Sequence, residues 1–245
     1  KCFGVSDGAI DLSVTNGTGT LNYLWSRNGE VTQDLLNITA GLYDVVVTDG
    51  NNCTATQSFT VIEPTQLVLN APAIVNVSCF GGNDGSITAN PAGGTAPYQY
   101  NWSPGGNSAT NPTLTAGLYN VTVEDANNCS VLNAYNVTEP SAALSIASAS
   151  VTDVLCNGQA TGAIDISIAG GTTPYNYAWN SGPSTEDIAG AIAGGYTVLV
   201  TDANSCTVSG SYTITQPTAI TFGNPVITDV SCNGGNDGSA EVTPS

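Results

Sequence analysis

The chain has 245 residues, 19 of them acidic and two basic, with no His and a formal net charge of −17. A polyanion whose only cations are Lys1 and Arg27 cannot track a phosphate backbone or an anionic lipid surface. The lack of His excludes Ser-His-Asp and Cys-His catalysis and His-based metal centres. Thr, Ser, Asn and Gly carry the polarity, and with 41% apolar residues the chain is expected to fold. No apolar run approaches the ~18 residues of a membrane span, so no membrane insertion is expected.

In chain order the elements read as short strands. Leu42 to Thr48 is β-branched and aromatic between Ala40-Gly41 and Asp49-Gly50-Asn51-Asn52, and Thr54 to Ile62 follows as its hairpin partner. Leu67-Val68-Leu69 opens a second unit. Gly85 to Ala89 alternates, Gly93-Gly94-Thr95 breaks the chain, and Pro97 to Trp102 puts Tyr98, Tyr100 and Trp102 on one face. Leu118 to Val123 and Ser130 to Val137 form the next hairpin. The third unit repeats the order with Leu144 to Ile146, Ala163 to Ile168, Pro174 to Trp179, Tyr196 to Thr201 and Thr207 to Ile214, and Ile220 to Phe222 opens a fourth. No segment has helical apolar spacing.

The cysteines keep the beat of this repetition. Cys2, Cys79, Cys156 and Cys232 recur about every 77 residues, as do Cys53, Cys129 and Cys206. Trp25, Trp102 and Trp179 hold the same place in each unit, and so do Tyr43, Tyr119 and Tyr196. The spacing predicts one disulfide per repeat, Cys2–Cys53, Cys79–Cys129 and Cys156–Cys206, leaving Cys232 unpaired by truncation, with a partner expected near position 282. Each bridge would close about 50 residues and contribute roughly 4 kcal/mol by loop entropy. Under tension it would be a clip that leaves only the segments outside the loop free to extend. Structural cysteines in every repeat point to an oxidising compartment and an exported protein.

The expected fold is all-β: a tandem array of small immunoglobulin-like β-sandwich domains with the Trp as core plug. Glu63-Pro64, Glu139-Pro140 and Gln216-Pro217 mark the borders, because Pro cannot continue a sheet ladder. The expected division is 1–64, lacking its first strand, then 65–140, 141–217 and 218–245, the last being the start of a further repeat. The chain reads as cut from a longer array.

The succession Cys79-Phe80-Gly81-Gly82-Asn83-Asp84-Gly85-Ser86-Ile87, Gly93-Gly94-Thr95-Ala96-Pro97-Tyr98-Gln99-Tyr100-Asn101-Trp102, Ala116-Gly117-Leu118-Tyr119 through Asn128-Cys129, and Glu139-Pro140 resembles the SprB repeat. The resemblance covers the whole chain. It implies a segment of a very large surface adhesin of gliding and related Bacteroidota, similar to type IX secretion cargo. Repeat 3 departs at Gly158-Gln159-Ala160-Thr161-Gly162, and repeat 1 lacks the Pro-Tyr step at Leu21-Asn22-Tyr23.

The residues offer candidates of four kinds. Asp84 with Asp125, aided by Asn83 and Glu124, could offer oxygens to calcium if a Cys79–Cys129 bridge drew their loops together; Asp7 with Asp49 repeats the theme, and repeat 3 keeps Asp202 and Asp153. The same Asp-Gly and Asp-Ala-Asn steps are ordinary turn chemistry, which is the stronger reading. Tyr98, Tyr100 and Trp102 could stack on a sugar, but their face is the one a core needs. Asn-x-Ser/Thr acceptors stand at Asn16, Asn37, Asn52, Asn76, Asn101, Asn120, Asn128 and Asn136. No catalytic pair faces a cleft, so no enzyme is expected.

The functional expectation is a stalk or filament segment of an exported cell-surface adhesin, serving attachment or gliding. Its partners would be neighbouring repeats of the same chain, other filament chains or surface polysaccharide. The alternatives are a polysaccharide- or calcium-binding module and a pilin-like subunit joined by strand donation from 218–231 of another chain.

Overall fold

The computed structural model describes residues 1–27 and 29–242. Among them every regular element is a strand. In chain order the first repeat supplies β1 (Gly8–Ile10), β2 (Asn22–Trp25), β3 (Leu35–Ile38), β4 (Gly41–Thr48) and β5 (Thr54–Val61). The second supplies β6 (Val68–Val75), β7 (Gly85–Ala92), β8 (Gln99–Ser103), β9 (Thr110–Leu114), β10 (Gly117–Glu124) and β11 (Ser130–Val137). The third supplies β12 (Ser145–Thr152), β13 (Gly162–Ala169), β14 (Asn176–Trp179), β15 (Ile188–Ala191), β16 (Gly194–Thr201) and β17 (Thr207–Ile214). A short pair, β18 (Val226–Thr228) and β19 (Ser239–Glu241), follows.

Each complete repeat is an immunoglobulin-like sandwich of two antiparallel three-stranded sheets. In the second these are β6-β7-β9 and β8-β10-β11; in the third, β12-β13-β15 and β14-β16-β17. Alternation builds the cores. Along β10, Tyr119, Val121 and Val123 point inward, as do Tyr43, Val45 and Val47 of β4 and Tyr196, Val198 and Val200 of β16. Three separate cores form, each around its Trp: Trp25, Trp102 and Trp179 are 1%, 2% and 5% exposed. Each indole N–H donates to a backbone carbonyl, of Thr32, Ser108 and Thr185 respectively. The tyrosines that keep the repeat's beat also have one job. Tyr43, Tyr119 and Tyr196 donate to the carbonyls of Thr39, Thr115 and Ile192, four residues upstream, much as the tyrosine corner of immunoglobulin sandwiches does.

The predicted strands are present, and the structure adds edge strands that the residues hide. β9 contains Pro112 and a Thr113 at φ 57°, and β15 contains Gly190 at φ 67°, so neither shows alternation. The opening strand β6 runs through Pro72 because the register slips between Asn70 and Ala73, on an edge where a missing N–H costs no ladder bond. β1 stops at Ile10, whereas its counterparts β7 and β13 run eight residues beside β6 and β12. No described strand lies along Asp11–Thr15, and a groove of about 380 Å³ lined by Leu12, Val14, Val45, Val47 and Phe59 takes its place.

The chain forms two compact units. The first is Lys1–Val77 with Gly82–Glu139, and the second is Ser78–Gly81 with Pro140–Ser245. The first unit therefore holds two sandwiches. The loop Ser78–Gly81 leaves the second sandwich in sequence yet belongs to the unit of the third.

The disulfides require a correction. The expected pairs Cys2–Cys53, Cys79–Cys129 and Cys156–Cys206 do not form. Cys2 is bonded to Cys129 and Cys79 to Cys206, with Cα–Cα separations of 5.7 and 5.8 Å, while Cys53, Cys156 and Cys232 are free and exposed. The reason lies in each sandwich. At its exit end, the start of β7 meets Leu114 and the end of β11: a Cβ on Gly85 would touch the Leu114 carbonyl and Val137. At its entry end, Gly94 faces Asp125 and Leu67. Cys79 precedes β7 and so adjoins the exit, whereas Cys129 immediately precedes β11 at the entry. An eight-residue strand separates those ends by about 27 Å, far beyond the ~7 Å a disulfide allows between Cα atoms. The first cysteine of one repeat instead reaches the second cysteine of the next, across 127 residues of sequence.

Candidate functional site

The site with most structure is the turn that carries the second cysteine. It is built three times, as Asp49-Gly50-Asn51-Asn52-Cys53, Asp125-Ala126-Asn127-Asn128-Cys129 and Asp202-Ala203-Asn204-Ser205-Cys206. The Asp N–H donates to the Cys carbonyl at 2.9 Å in all three, and the residue before each Cys takes positive φ, at 62°, 62° and 69°. Asn and Ser tolerate that backbone at modest cost, and Asp closes the turn with its side chain. Asp125 Oδ1 accepts from the N–H groups of Asn127 and Cys129 at 2.8 and 2.9 Å, and Oδ2 accepts from Thr95 N–H at 2.9 Å. Asp202 does the same with Asn204, Cys206 and Thr172, and Asp49 with Asn51, Cys53 and Thr18. The neighbouring loop is pinned in return, since Gly50, Ala126 and Ala203 donate to the carbonyls of Thr18, Thr95 and Thr172.

On two of these turns a first-cysteine loop is seated. Asn127 Nδ2 donates to the Lys1 carbonyl at 3.1 Å and to Thr95 Oγ1 at 2.9 Å, beside the Cys2–Cys129 bond. Asn204 Nδ2 donates to the Ser78 carbonyl at 2.9 Å and to Thr172 Oγ1 at 3.1 Å, beside Cys79–Cys206. The first-cysteine loop is also held to its own repeat. Gly4 N–H donates to the Glu63 carboxylate, Gly158 N–H to Gln216 Oε1 at 2.8 Å, and Asn157 Nδ2 to the Pro217 carbonyl at 3.0 Å. The Asn two residues after the Asp, and the Glu or Gln before the border Pro, were missed in the sequence. Their signal was there, since both recur at the repeat spacing.

Burial pushes the Asp125 and Asp202 carboxyls up, but their three backbone N–H donors together outweigh it and hold both below the ordinary carboxylate range. An unfolded Asp titrates near 3.9. The stability these groups contribute is therefore complete above that pH and is lost as pH falls through the lowered folded values. Asp125→Asn puts an NH2 group against N–H donors. The variant is expected to have a lower urea midpoint than the parent at pH 7 and a smaller loss of midpoint between pH 7 and pH 3. Parallel pH dependence in the two proteins would count against this role.

The calcium sites do not assemble. Asp84 adjoins the exit end of its sandwich and Asp125 the entry end, so the pair has no common loop cluster. Asp7 and Asp49 are divided in the same way, and Asp7 accepts from the Lys1 amino group. Asp125, Asp49 and Asp202 spend their lone pairs on backbone donors, and Asp153 accepts from Thr215 N–H at 2.7 Å. Asn83 and Glu124 share the positions of their neighbours. Among the described residues no three Cys, Asp or Glu side chains group as a cation site. The aromatic face is core: Trp102 is buried, Tyr98 and Tyr100 pack half-buried against it, and Tyr98 donates to the Gly93 carbonyl. The acceptors Asn16, Asn37, Asn52, Asn76, Asn101, Asn120, Asn128 and Asn136 are all exposed.

No curated protein matches the chain. Among solved structures it is similar to extracellular domains 3–5 of Drosophila OTK, at 10% identity and TM-score 0.36 over 86% of this chain and 91% of that one. It is also similar to the N-terminal eight Ig domains of Down Syndrome Cell Adhesion Molecule, at 11% identity and TM-score 0.39 over 80% of this chain and 33% of that one. Domains 1–6 of the surface layer protein SbsC match at 15% identity and TM-score 0.29 over 91% of this chain and 40% of that one. Likenesses this loose bear on neither ligand nor partner. The model of the SprB repeat matches residues 1–30, 71–107, 148–184 and 224–245, just over half of the chain in register with the cysteine beat. The chain belongs to the SprB-repeat family.

Proposed function

We propose that this chain is a load-bearing stalk segment of an exported cell-surface adhesin. The observation that carries the reading is the pair of bridges between successive repeats, each joining cysteines 127 residues apart. A bridge inside a domain limits the extension of that domain alone, whereas a bridge between repeats limits how far the array lengthens when one of them opens. Such a device suits an element pulled at both ends. Exposed Asn-x-Ser/Thr acceptors and a net charge of −17 fit a polymer that stays hydrated outside the cell. In this reading the adhesive ligand belongs to other parts of the protein, and gliding is one motion such a stalk would serve. The test is adhesion under flow by cells carrying Cys79→Ser with Cys206→Ser. Static attachment should persist and attachment under shear should fall several-fold. Unchanged shear resistance, or failure of antibodies to this segment to label intact cells, would remove the reading.

The groove along Asp11–Thr15 favours a second reading, in which 218–231 of another copy supplies the strand that β6 and β12 supply in the later repeats. Ile220, Phe222, Val226 and Ile227 of that segment are exposed. Light scattering after size exclusion separates the two readings: concentration-dependent oligomers are required for strand donation, and a monomer at tens of micromolar excludes it.

A further inference from the structure

We infer that the Asp49–Cys53 turn is an unoccupied covalent docking site for the first-cysteine loop of another SprB-type repeat. The same turn is occupied at both of its other occurrences in this chain. In each occupied case the guest contributes a backbone carbonyl just before its cysteine, taken by the Asn at the third position of the turn, and a sulfur bonded to the cysteine at the fifth.

The first repeat has the same frame already in place. Asp49 Oδ1 accepts from Asn51 and Cys53 N–H, both at 2.9 Å, Asp49 N–H reaches the Cys53 carbonyl, and Gly50 N–H holds the Thr18 carbonyl at 2.8 Å. Asn51 stands where Asn127 and Asn204 stand, and Thr18 where Thr95 and Thr172 stand. Cys53 is free and exposed. The receptor is thus preformed and needs no rearrangement to bind. Its guest is defined chemically as a Ser-Cys-Phe-Gly type turn, with the Gly at positive φ, that presents a carbonyl and a sulfur. Cys156 and Cys232 are also free and exposed, but they are first cysteines, in guest loops rather than on receptor turns. The inference stands on the turns alone and holds whether or not the chain bears load.

The probe is a peptide with the sequence of residues 78–84, Ser-Cys-Phe-Gly-Gly-Asn-Asp, carried as its mixed disulfide with glutathione. The Cys53 thiolate attacks the peptide sulfur, the new S–S bond forms, and the glutathione thiolate leaves with the electron pair, so no outside oxidant is needed. Adducts on the three free cysteines are read by mass spectrometry of the intact 245-residue chain and its fragments. Cys53 should react at least ten-fold faster with this peptide than with a scrambled one of the same composition, while Cys156 and Cys232 show no such preference. Asn51→Ala, which leaves the backbone frame untouched, should abolish the preference. Equal rates for native and scrambled peptide at Cys53, a preference shared by all three cysteines, or an unchanged ratio in Asn51→Ala would each overturn the inference. Unimpaired shear resistance of cells lacking the bridges would sink the stalk reading and leave this result standing.

Discussion

Stretched between its ends, the oxidised chain is expected to stop at about 320 Å, and the reduced chain at about 830 Å. The shortest covalent route runs from Cys2 across the bridge to Cys129, back along the chain to Cys79, across to Cys206 and on to the end. It holds about 90 residues of backbone at ~3.4 Å each. Pairing within repeats would leave about 93 residues, so the two frameworks are told apart by Cys206→Ser, which should stop at about 400 Å when only Cys2–Cys129 remains and at about 490 Å if Cys2–Cys53 and Cys79–Cys129 remain. In a longer array of the same kind the route between bridges is 129 to 156, about 27 residues per two repeats, and it contains β11 and β12, which are strands already. The residues of β7 to β10 lie off that route. Single-molecule force spectroscopy with and without reductant measures this directly. A reduced-minus-oxidised difference far from about 510 Å, or a Cys206→Ser stop near about 490 Å, would refute the pairing.

Trp102→Ala is expected to cost about 3–5 kcal/mol. Trp102 is almost fully buried among Ile87, Val121, Val123 and Tyr119, and its indole N–H satisfies the Ser108 carbonyl. A domain of this size is stable by only about 5–15 kcal/mol, so the second sandwich should be marginal while the third unfolds as in the parent. Urea melts monitored by far-UV circular dichroism, which reports all the sandwiches, would show two transitions. Tyr98→Phe, which removes one hydrogen bond to Gly93, should cost about 1 kcal/mol. A Trp102→Ala cost below that of Tyr98→Phe would mean that the core is not organised around the indole.

The hairpins were legible because Tyr-x-Val-x-Val and its equivalents alternate without interruption between turn residues, and the structure returns β10, β11 and β17 within a residue of the expectation. β9 and β15 were not, since an edge strand carrying Pro112 or Gly190 has neither alternation nor β-branching to reveal it. The cysteine pairing failed for a different reason. Any pairing of a first cysteine with a second keeps the beat of about 77 residues, whether the two lie in one repeat or in successive ones. The deciding signal was parity. Three long strands, β7, β8 and β10, lie between Cys79 and Cys129. An odd number of traverses of an antiparallel sandwich delivers the chain to its opposite end; β9 adds no reversal, because it pairs antiparallel to β7 and so runs in the direction of β8. The Asp turns were legible as turns, but their three backbone donors per carboxylate depend on Thr18, Thr95 and Thr172, about 30 residues away.

The two bridges overlap in sequence, one spanning Cys2 to Cys129 and the other Cys79 to Cys206. Every peptide bond between Cys2 and Cys206 lies under at least one of them. A protease that cuts once anywhere in that stretch produces two chain ends and no released fragment. To shed what lies beyond, it must cut three times, once in each of the stretches 2–79, 79–129 and 129–206, or a thiol must first open a bridge. For a molecule displayed among secreted proteases, a single nick in an exposed loop is then a wound that leaves the cargo still tethered.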